Sequence, residues 1–255
     1  MQRSFTRTAL VLRSRPSGES NREVWLLTAE EGIIRATVFG GPKSRLRAHA
    51  APFHSGTVWL YHDPVRDSRK ITDFDVVSWR PGLREVYERT MTANAGAETV
   101  LASHGGGGNW RTAFDLFSFT LDCLEEAAAE ACPRIFVRFL WNWAAFLGEC
   151  PGLRCASSAC EPADDGVLWY DRKEGIFLCT RCAGLYGTGG GEDGAAAGLL
   201  ALGPAARRWL ASPEDGPAAL PRPFPDGSSF REARSVAVAV MEGVLGRRLA
   251  TWDEA

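Results

Sequence analysis

Residues 33–39 read Ile33-Ile34-Arg35-Ala36-Thr37-Val38-Phe39. Ile34, Ala36 and Val38 alternate with Ile33, Arg35, Thr37 and Phe39, so a strand here turns an aliphatic face one way and a mixed face the other. The pattern repeats outward from this run. Thr8–Arg13 and Glu23–Thr28 precede it, and Phe53–Tyr61 and Ile71–Trp79 follow. Turn-forming stretches separate the runs: SRPSGESN over 14–21, EEG over 30–32 and GGPKSRLRAHAAP over 40–52. Five short strands in about eighty residues predict a small closed barrel of the oligonucleotide-binding (OB) type over residues 1–80. A five-stranded SH3-like barrel or an open meander has the same periodicity.

Pro81-Gly82 ends the alternation, and residues 81–255 read as a helical body. Leu83, Val86, Tyr87, Thr90 and Met91 recur at helical spacing. The run SHGGGGN over 103–109 connects to a second helix, which Asn109 caps and whose stripe is Trp110, Phe114, Phe117 and Leu121. Pro133 opens a third helix with a broad apolar face of Phe136, Phe139, Leu140, Trp143, Phe146 and Leu147. Trp141 and Trp143 are read as core. A Gly/Ala-rich loop at 187–198, a short helix at 205–210 and a Pro-rich passage at 213–225 come next. The last helix opens on Ser229-Phe-Arg-Glu232, a capping-box pattern, and buries Phe230, Val236, Val240, Val244 and Leu245. The fold class is thus α+β and multidomain.

Four cysteines have metal-ligand spacing: Cys155-x4-Cys160, then eighteen residues, then Cys179-x2-Cys182. Val167 and Trp169, then Ile176 and Leu178, are strand-like around the turn Asp171–Gly175. This is the layout of a zinc ribbon at about 150–186, with four thiolates closing a structural Zn²⁺ site. A redox pair at Cys179 and Cys182 is the competing reading, but it leaves the first pair unexplained and no βαβ pattern surrounds it. Cys150 is a spectator; Cys123 and Cys132 are buried or incidental thiols.

Charge is uneven. Residues 1–80 hold thirteen Lys/Arg against eight Asp/Glu, and the rest holds sixteen against twenty-three. Arg13, Arg15, Arg22 and Arg35 surround the first strands, and Lys43, Arg45 and Arg47 form the densest basic run. Such side chains neutralise phosphates, and Phe39, Phe53 and Trp59 are candidate base stackers. A solvated surface is the plainer reading of the basic run. The four histidines have no ligand spacing, and no Walker, GxSxG or HExxH motif occurs, which argues against an enzyme. The N-terminus lacks a signal-peptide core and no run suffices for a membrane span, so a cytoplasmic protein is expected.

The chain resembles the RecO recombination-mediator proteins. The likeness rests on Ala9-Leu-Val-Leu-Arg13 with Gly18–Arg22, on Pro42-Lys-Ser-Arg-Leu46 with Pro52-Phe53, on Arg138-Phe-Leu140 through Leu147-Gly148, on Phe177-Leu-Cys-Thr-Arg-Cys182 and on Leu245-Gly-Arg-Arg-Leu249. The resemblance implies an OB-fold N-terminal domain and an α-helical domain with an embedded zinc ribbon. It implies binding and annealing of single- and double-stranded DNA. It also implies a RecR-like partner, contact with the acidic tail of single-strand-binding protein, loading of RecA and a nucleoid-associated place of work. The first cysteine pair departs from the family's usual x2 spacing, and the basic loop over 40–47 is shorter than in many relatives. For the acidic tail, Arg134 and Arg138 beside Phe136, Phe139 and Trp143 are the first candidates, and Arg207 and Arg208 beside Trp209 the second. The alternative function is a zinc-ribbon interaction or transcription-type factor whose barrel binds protein.

Overall fold

Strand β1 (Ser4–Ser17) pairs with β4 (Ser55–Asp63) through its first half and with β2 (Asn21–Thr28) through its second. The two stretches overlap at Ala9 and Leu10, and a bulge between Val11 and Arg13 interrupts the pairing with β2. β2 continues into β3 (Gly32–Val38), and β5 (Ser68–Ser78) pairs antiparallel with β4 and parallel with β3. The strand order β1-β2-β3-β5-β4 closes on itself as a five-stranded, OB-like barrel. This computed structural model describes residues 3–41, 44–157, 160, 166–187, 198–212, 226–253 and 255. Lys43, most of the Gly/Ala-rich loop and the Pro-rich passage at 213–225 lie outside the described residues.

The alternation in the sequence is the alternation of the barrel. Ile34, Ala36 and Val38 point inward with Val24, Leu26, Val58, Leu60, Ile71 and Phe74. Ala9, Leu10, Val11 and Leu12 are all buried, because the helices over Tyr87–Ala102 and Trp110–Glu126 cover the outer side of β1 and β2. A strand covered on both faces loses its polar alternation. Two expectations change. The third connection contains a one-turn helix, α1 (Arg45–His49). Phe53 is core, with a positive φ of 72°, and is not a base stacker.

The first compact unit comprises Met1–Cys132 and Leu249–Ala255. Beyond the barrel it holds α2 (Tyr87–Ala102) and α3 (Trp110–Glu126). Asn109 caps α3 as expected, its side chain accepting from the Thr112 amide at 3.2 Å. The stripe expected on α2 is displaced. Leu83 lies in a preceding 3₁₀ turn, Tyr87 is exposed, and the buried face is Thr92, Ala93, Ala95, Gly96, Ala97, Thr99 and Val100. Small residues let α3 approach: a Cβ on Gly96 would stand 2.7 Å from the Phe117 ring. The chain end packs on the same helix, where the Trp252 indole donates to Thr99 Oγ1 at 2.9 Å.

His54 is buried in this unit and fully engaged as a neutral ring. Its Nδ1–H donates to His49 O at 3.0 Å, and Nε2 accepts from Arg84 at 3.1 Å. Burial, with help from Arg84, lowers its pKa below 6.5. The unfolded chain therefore takes up this proton more readily than the folded one. The stability held by neutral His54 is complete above pH 6.5 and is lost as pH falls through the folded-state pKa. Unfolding titrations of the parent should show this decline below about pH 6.5, and His54→Gln should flatten that part of the curve. Identical pH dependence in the two proteins would contradict it.

The second unit, Pro133–Arg248, holds most of α4 (Cys132–Phe146), α6 (Pro204–Ala211) and α7 (Gly227–Leu245). Trp143 is fully buried between Phe139 and Phe146, and Trp141 is also core. α7 starts earlier than the capping box suggested. Asp226 is the N-cap, accepting from the Ser229 amide at 2.7 Å, and Glu232 instead accepts from the Gly203 amide at 2.8 Å. Its buried face is Ala233, Val236, Ala237, Val240 and Met241, whereas Phe230, Val244 and Leu245 are half-buried. Among the described residues, no helix is long and apolar enough to cross a membrane.

Candidate metal centre and nucleic-acid face

The cysteines converge as their spacing predicts. β6 (Leu168–Asp171) and β7 (Ile176–Cys179) form the expected hairpin, and β8 (Leu199–Leu202) adds an unexpected third strand beside β6. Cys179 ends β7, and Cys182 lies in the first turn of α5 (Thr180–Gly187). The first pair is fastened to the sheet where the Ala156 amide donates to Phe177 O at 2.7 Å.

The four sulfurs lie within 4.8 Å of one another. Tetrahedral ligation at a metal–sulfur distance of about 2.3 Å places sulfurs about 3.8 Å apart. Cys160 Sγ stands 3.7 Å from Cys179 Sγ and 3.3 Å from Cys182 Sγ, so the donor set fits such a metal. The x4 spacing of the first pair is no obstacle to this convergence. Arg181 donates to Cys160 Sγ at 3.4 Å; this bond, with those from Cys182 and Cys179, draws the Cys160 thiol down to about 6. Cys182 donates into the same cluster and is held up at about 12. A cation among the sulfurs would replace these shared protons. Cys150 stands apart: burial raises its thiol to about 12.

On the barrel, the register sorts the basic residues. Arg13 pairs with Trp25, and Trp25 pairs with Arg35, so one row crosses three adjacent strands on the outer face. The β1 bulge makes this possible: Val11 faces inward, and the extra residue turns Arg13 outward although it is only two positions on. Arg15, in the next row, lies over the Trp25 ring at 5.5 Å. Arg35 also pairs with Glu23 at 3.2 Å, which offsets part of the charge. Arg22 does not join this face. It shares the inward parity of Val24 and Leu26 at the barrel end and donates to Ser14 Oγ at 3.3 Å. Arg45 is exposed on α1, with its Nε donating to His49 Nε2 at 3.2 Å, and Arg47 is half-buried there. Phe39 and Trp59 are exposed, at 54% and 38%, but Trp59 stands between Thr6 and Asp73 on a different part of the wall. Trp25 is the aromatic that sequence reading missed.

The candidate tail arginines separate. Arg138 is buried, and its guanidinium donates to Trp209 O, Leu210 O and Ser212 O at 2.9, 3.0 and 2.6 Å. It closes the C-terminal end of α6, where the carbonyls and the helix dipole favour a cation. Desolvation lowers its pKa to about 10, which leaves it charged at neutral pH. Arg138 is therefore a structural cation, not an exposed peptide ligand. Arg134 is half-buried, its guanidinium 5.7 Å from the Phe230 ring centre, and Trp209 packs edge-on against that ring at 6.2 Å. Arg207 is half-buried and Arg208 exposed on α6.

The chain matches two family models, Recombination protein O N terminal over residues 1–80 and Recombination protein O C terminal over residues 84–202. It is similar to the DNA repair protein RecO of Anaeromyxobacter dehalogenans (strain 2CP-C), with 31% identity over 246 residues, covering 95% of this chain and 92% of that one. The RecO of Pelotomaculum thermopropionicum is 33% identical over 177 residues, or 68% and 66% of the two chains. That of Acaryochloris marina is 28% identical over 166 residues, or 64% and 56%. The match thus spans just under two thirds of the Pelotomaculum relative, a little over half of the Acaryochloris one and nearly all of the first.

Proposed function

The chain belongs to the RecO family, and from that premise we propose that it is a non-enzymatic mediator of recombinational DNA repair. In this reading it binds and anneals single- and double-stranded DNA. With a RecR-like protein, it helps load RecA onto strands covered by single-strand-binding protein. Residues 1–80 are the DNA-binding module and residues 81–255 the body that meets protein partners. The observation that carries this reading is the Arg13–Trp25–Arg35 row on the outer wall of the closed barrel. Cations neutralise phosphates there, and a base that displaces Arg15 from the half-buried Trp25 ring would stack on the indole.

Arg13, Arg15 and Arg35 form the centre of the DNA-binding set, with Lys43, Arg45 and Arg47 extending it, while Arg22, engaged with Ser14 at the barrel end, is a secondary member away from that face. Each phosphate contact on a single strand adds about 0.7 to the slope of log affinity against log salt. Replacing Arg13, Arg35 and Arg45 with Glu is therefore expected to weaken binding of a labelled single strand and lower that slope by about 2. Affinity measured across a salt series checks this. An unchanged slope would favour the second reading, a barrel that binds protein, in which strand annealing is not accelerated either.

The metal proposed at Cys155, Cys160, Cys179 and Cys182 is zinc, in a structural role. Four sulfur donors leave no open position for a reacting water, and this chain's own residues supply the whole cage. The acidic tail of single-strand-binding protein is assigned to the helical body, with Arg134, Arg207 and Arg208 as its cations now that Arg138 is committed to α6. Its capture must be local, because the back half is net acidic. A cytoplasmic, nucleoid-associated location follows from the same reading.

A further inference from the structure

The second unit contains a pocket of about 190 Å³ whose lining brings together Arg172, Arg234, Arg248, Ser235 and Glu242. The three guanidinium groups come from different places. Arg172 stands in the β6–β7 turn, Arg234 lies within α7, and Arg248 follows the end of α7. Glu242 is 13% exposed and joins two of them, accepting from Arg172 at 2.5 Å and from Arg248 at 2.8 Å. The turn that carries Arg172 is firmly built. Asp171 Oδ1 accepts from the Lys173 and Glu174 amides at 2.8 and 3.3 Å, and Gly175, at φ +68°, returns its amide to Asp171 O at 2.8 Å.

We propose that this pocket binds a phosphate of the nucleic-acid backbone, as a second DNA contact. The proposal rests on the DNA-binding reading above but uses none of the barrel residues. Guanidinium forks match the geometry of a phosphate oxyanion, and three of them converge here with one hydroxyl. The setting suits a polyanion. Arg247 is exposed beside Arg248 and extends the positive surface, whereas Lys173 beside Arg172 is partly offset by Glu174 at 3.8 Å, within a back half that is net acidic. A peptide captured by its end needs an apolar cleft as well as a cation. This pocket offers only Leu200, Val238 and Ala239 for that purpose. Glu242 is the competitor of the bound phosphate. Without DNA it holds Arg172 and Arg248 in place, and with DNA its charge opposes the incoming anion.

This competition separates a binding role from a purely structural ion network. Glu242→Gln keeps an oxygen that accepts from the arginines and removes the opposing charge. Full-length protein carrying it should bind a labelled single strand about 2–5-fold more tightly. Arg172→Glu with Arg234→Glu should bind about tenfold more weakly near 0.1 M salt, with the salt slope reduced by about 1. Thermal melting identifies any variant that has lost its fold, and a gain of affinity in Glu242→Gln cannot come from misfolding. Parent-like affinity in both pocket variants, with the barrel variant weakened, overturns this proposal and leaves the barrel reading standing. A weakened pocket variant beside a parent-like barrel variant supports the pocket and removes the barrel reading. Loss of binding to a labelled acidic peptide but not to the strand overturns it, as does binding of inorganic phosphate that leaves strand affinity untouched.

Discussion

Cys179→Ser protein, purified without chelator, is expected to contain far less than one zinc per chain and to lose the ordered hairpin of the back half. Cys179 is both a donor to the cluster and the last residue of β7, in register with Leu168 of β6. Removing the sulfur thus acts on the metal site and on the sheet together. In finger peptides, zinc binding supplies about 10–16 kcal/mol, which becomes folding free energy because the unfolded chain has no formed site. A segment of this size has too small an apolar core to stand without it. Metal content by elemental analysis should be about one zinc per parent chain. Limited proteolysis should then cut Cys179→Ser, or chelator-treated parent, within residues 150–186 much faster than parent. Cys150→Ser is the control: its half-buried thiol lies outside the cluster, so zinc content should not change. Parent protein without zinc would refute the assignment.

The barrel and the cysteine cluster were readable because each obeys a short-range rule. Period-two alternation over 33–39 is sufficient to place Ile34, Ala36 and Val38 inside. Paired cysteines on two turns are sufficient to bring four sulfurs together. What escaped depends on residues far apart in the chain. Trp25 becomes a surface aromatic between arginines only once the register of three strands and the β1 bulge are known. β8 is four apolar residues with no alternation to mark it, and it is a strand because β6 has a free side for it. Arg138 does carry a signal in the sequence. It sits within the stripe Phe136, Phe139, Leu140 and Trp143, and a cation inside the apolar face of a helix must be buried and paired. The carbonyls that pair it lie more than seventy residues on, which no local pattern reveals.

Arg80 is the deepest case of the same kind, and its removal should have the largest effect on the first unit. In the sequence it is only the residue before Pro81, where the strands stop. In the fold it is 2% exposed and takes a left-handed backbone at φ 45°. Its guanidinium donates to Asp122 at 2.7 Å, to Phe53 O at 2.8 Å, to Ser55 Oγ at 3.1 Å and to Ser118 Oγ at 2.7 Å. One side chain thereby joins the start of β4 to the middle of α3. Arg80→Met keeps much of the volume but strands a buried carbonyl and two hydroxyls. We expect a loss of about 3–5 kcal/mol, on the order of 10 °C in melting temperature. Arg80→Gly relieves the left-handed backbone yet loses the same bonds, so it should be no better than Arg80→Met by more than about 1 kcal/mol. Asp122→Asn should cost less than about 1 kcal/mol, because that carboxylate is 53% exposed and screened by water. Equilibrium unfolding of the three variants ranks the contributions. Were Asp122→Asn as damaging as Arg80→Met, the ion pair, rather than the buried carbonyl and hydroxyls, would be what fastens the barrel to its helix.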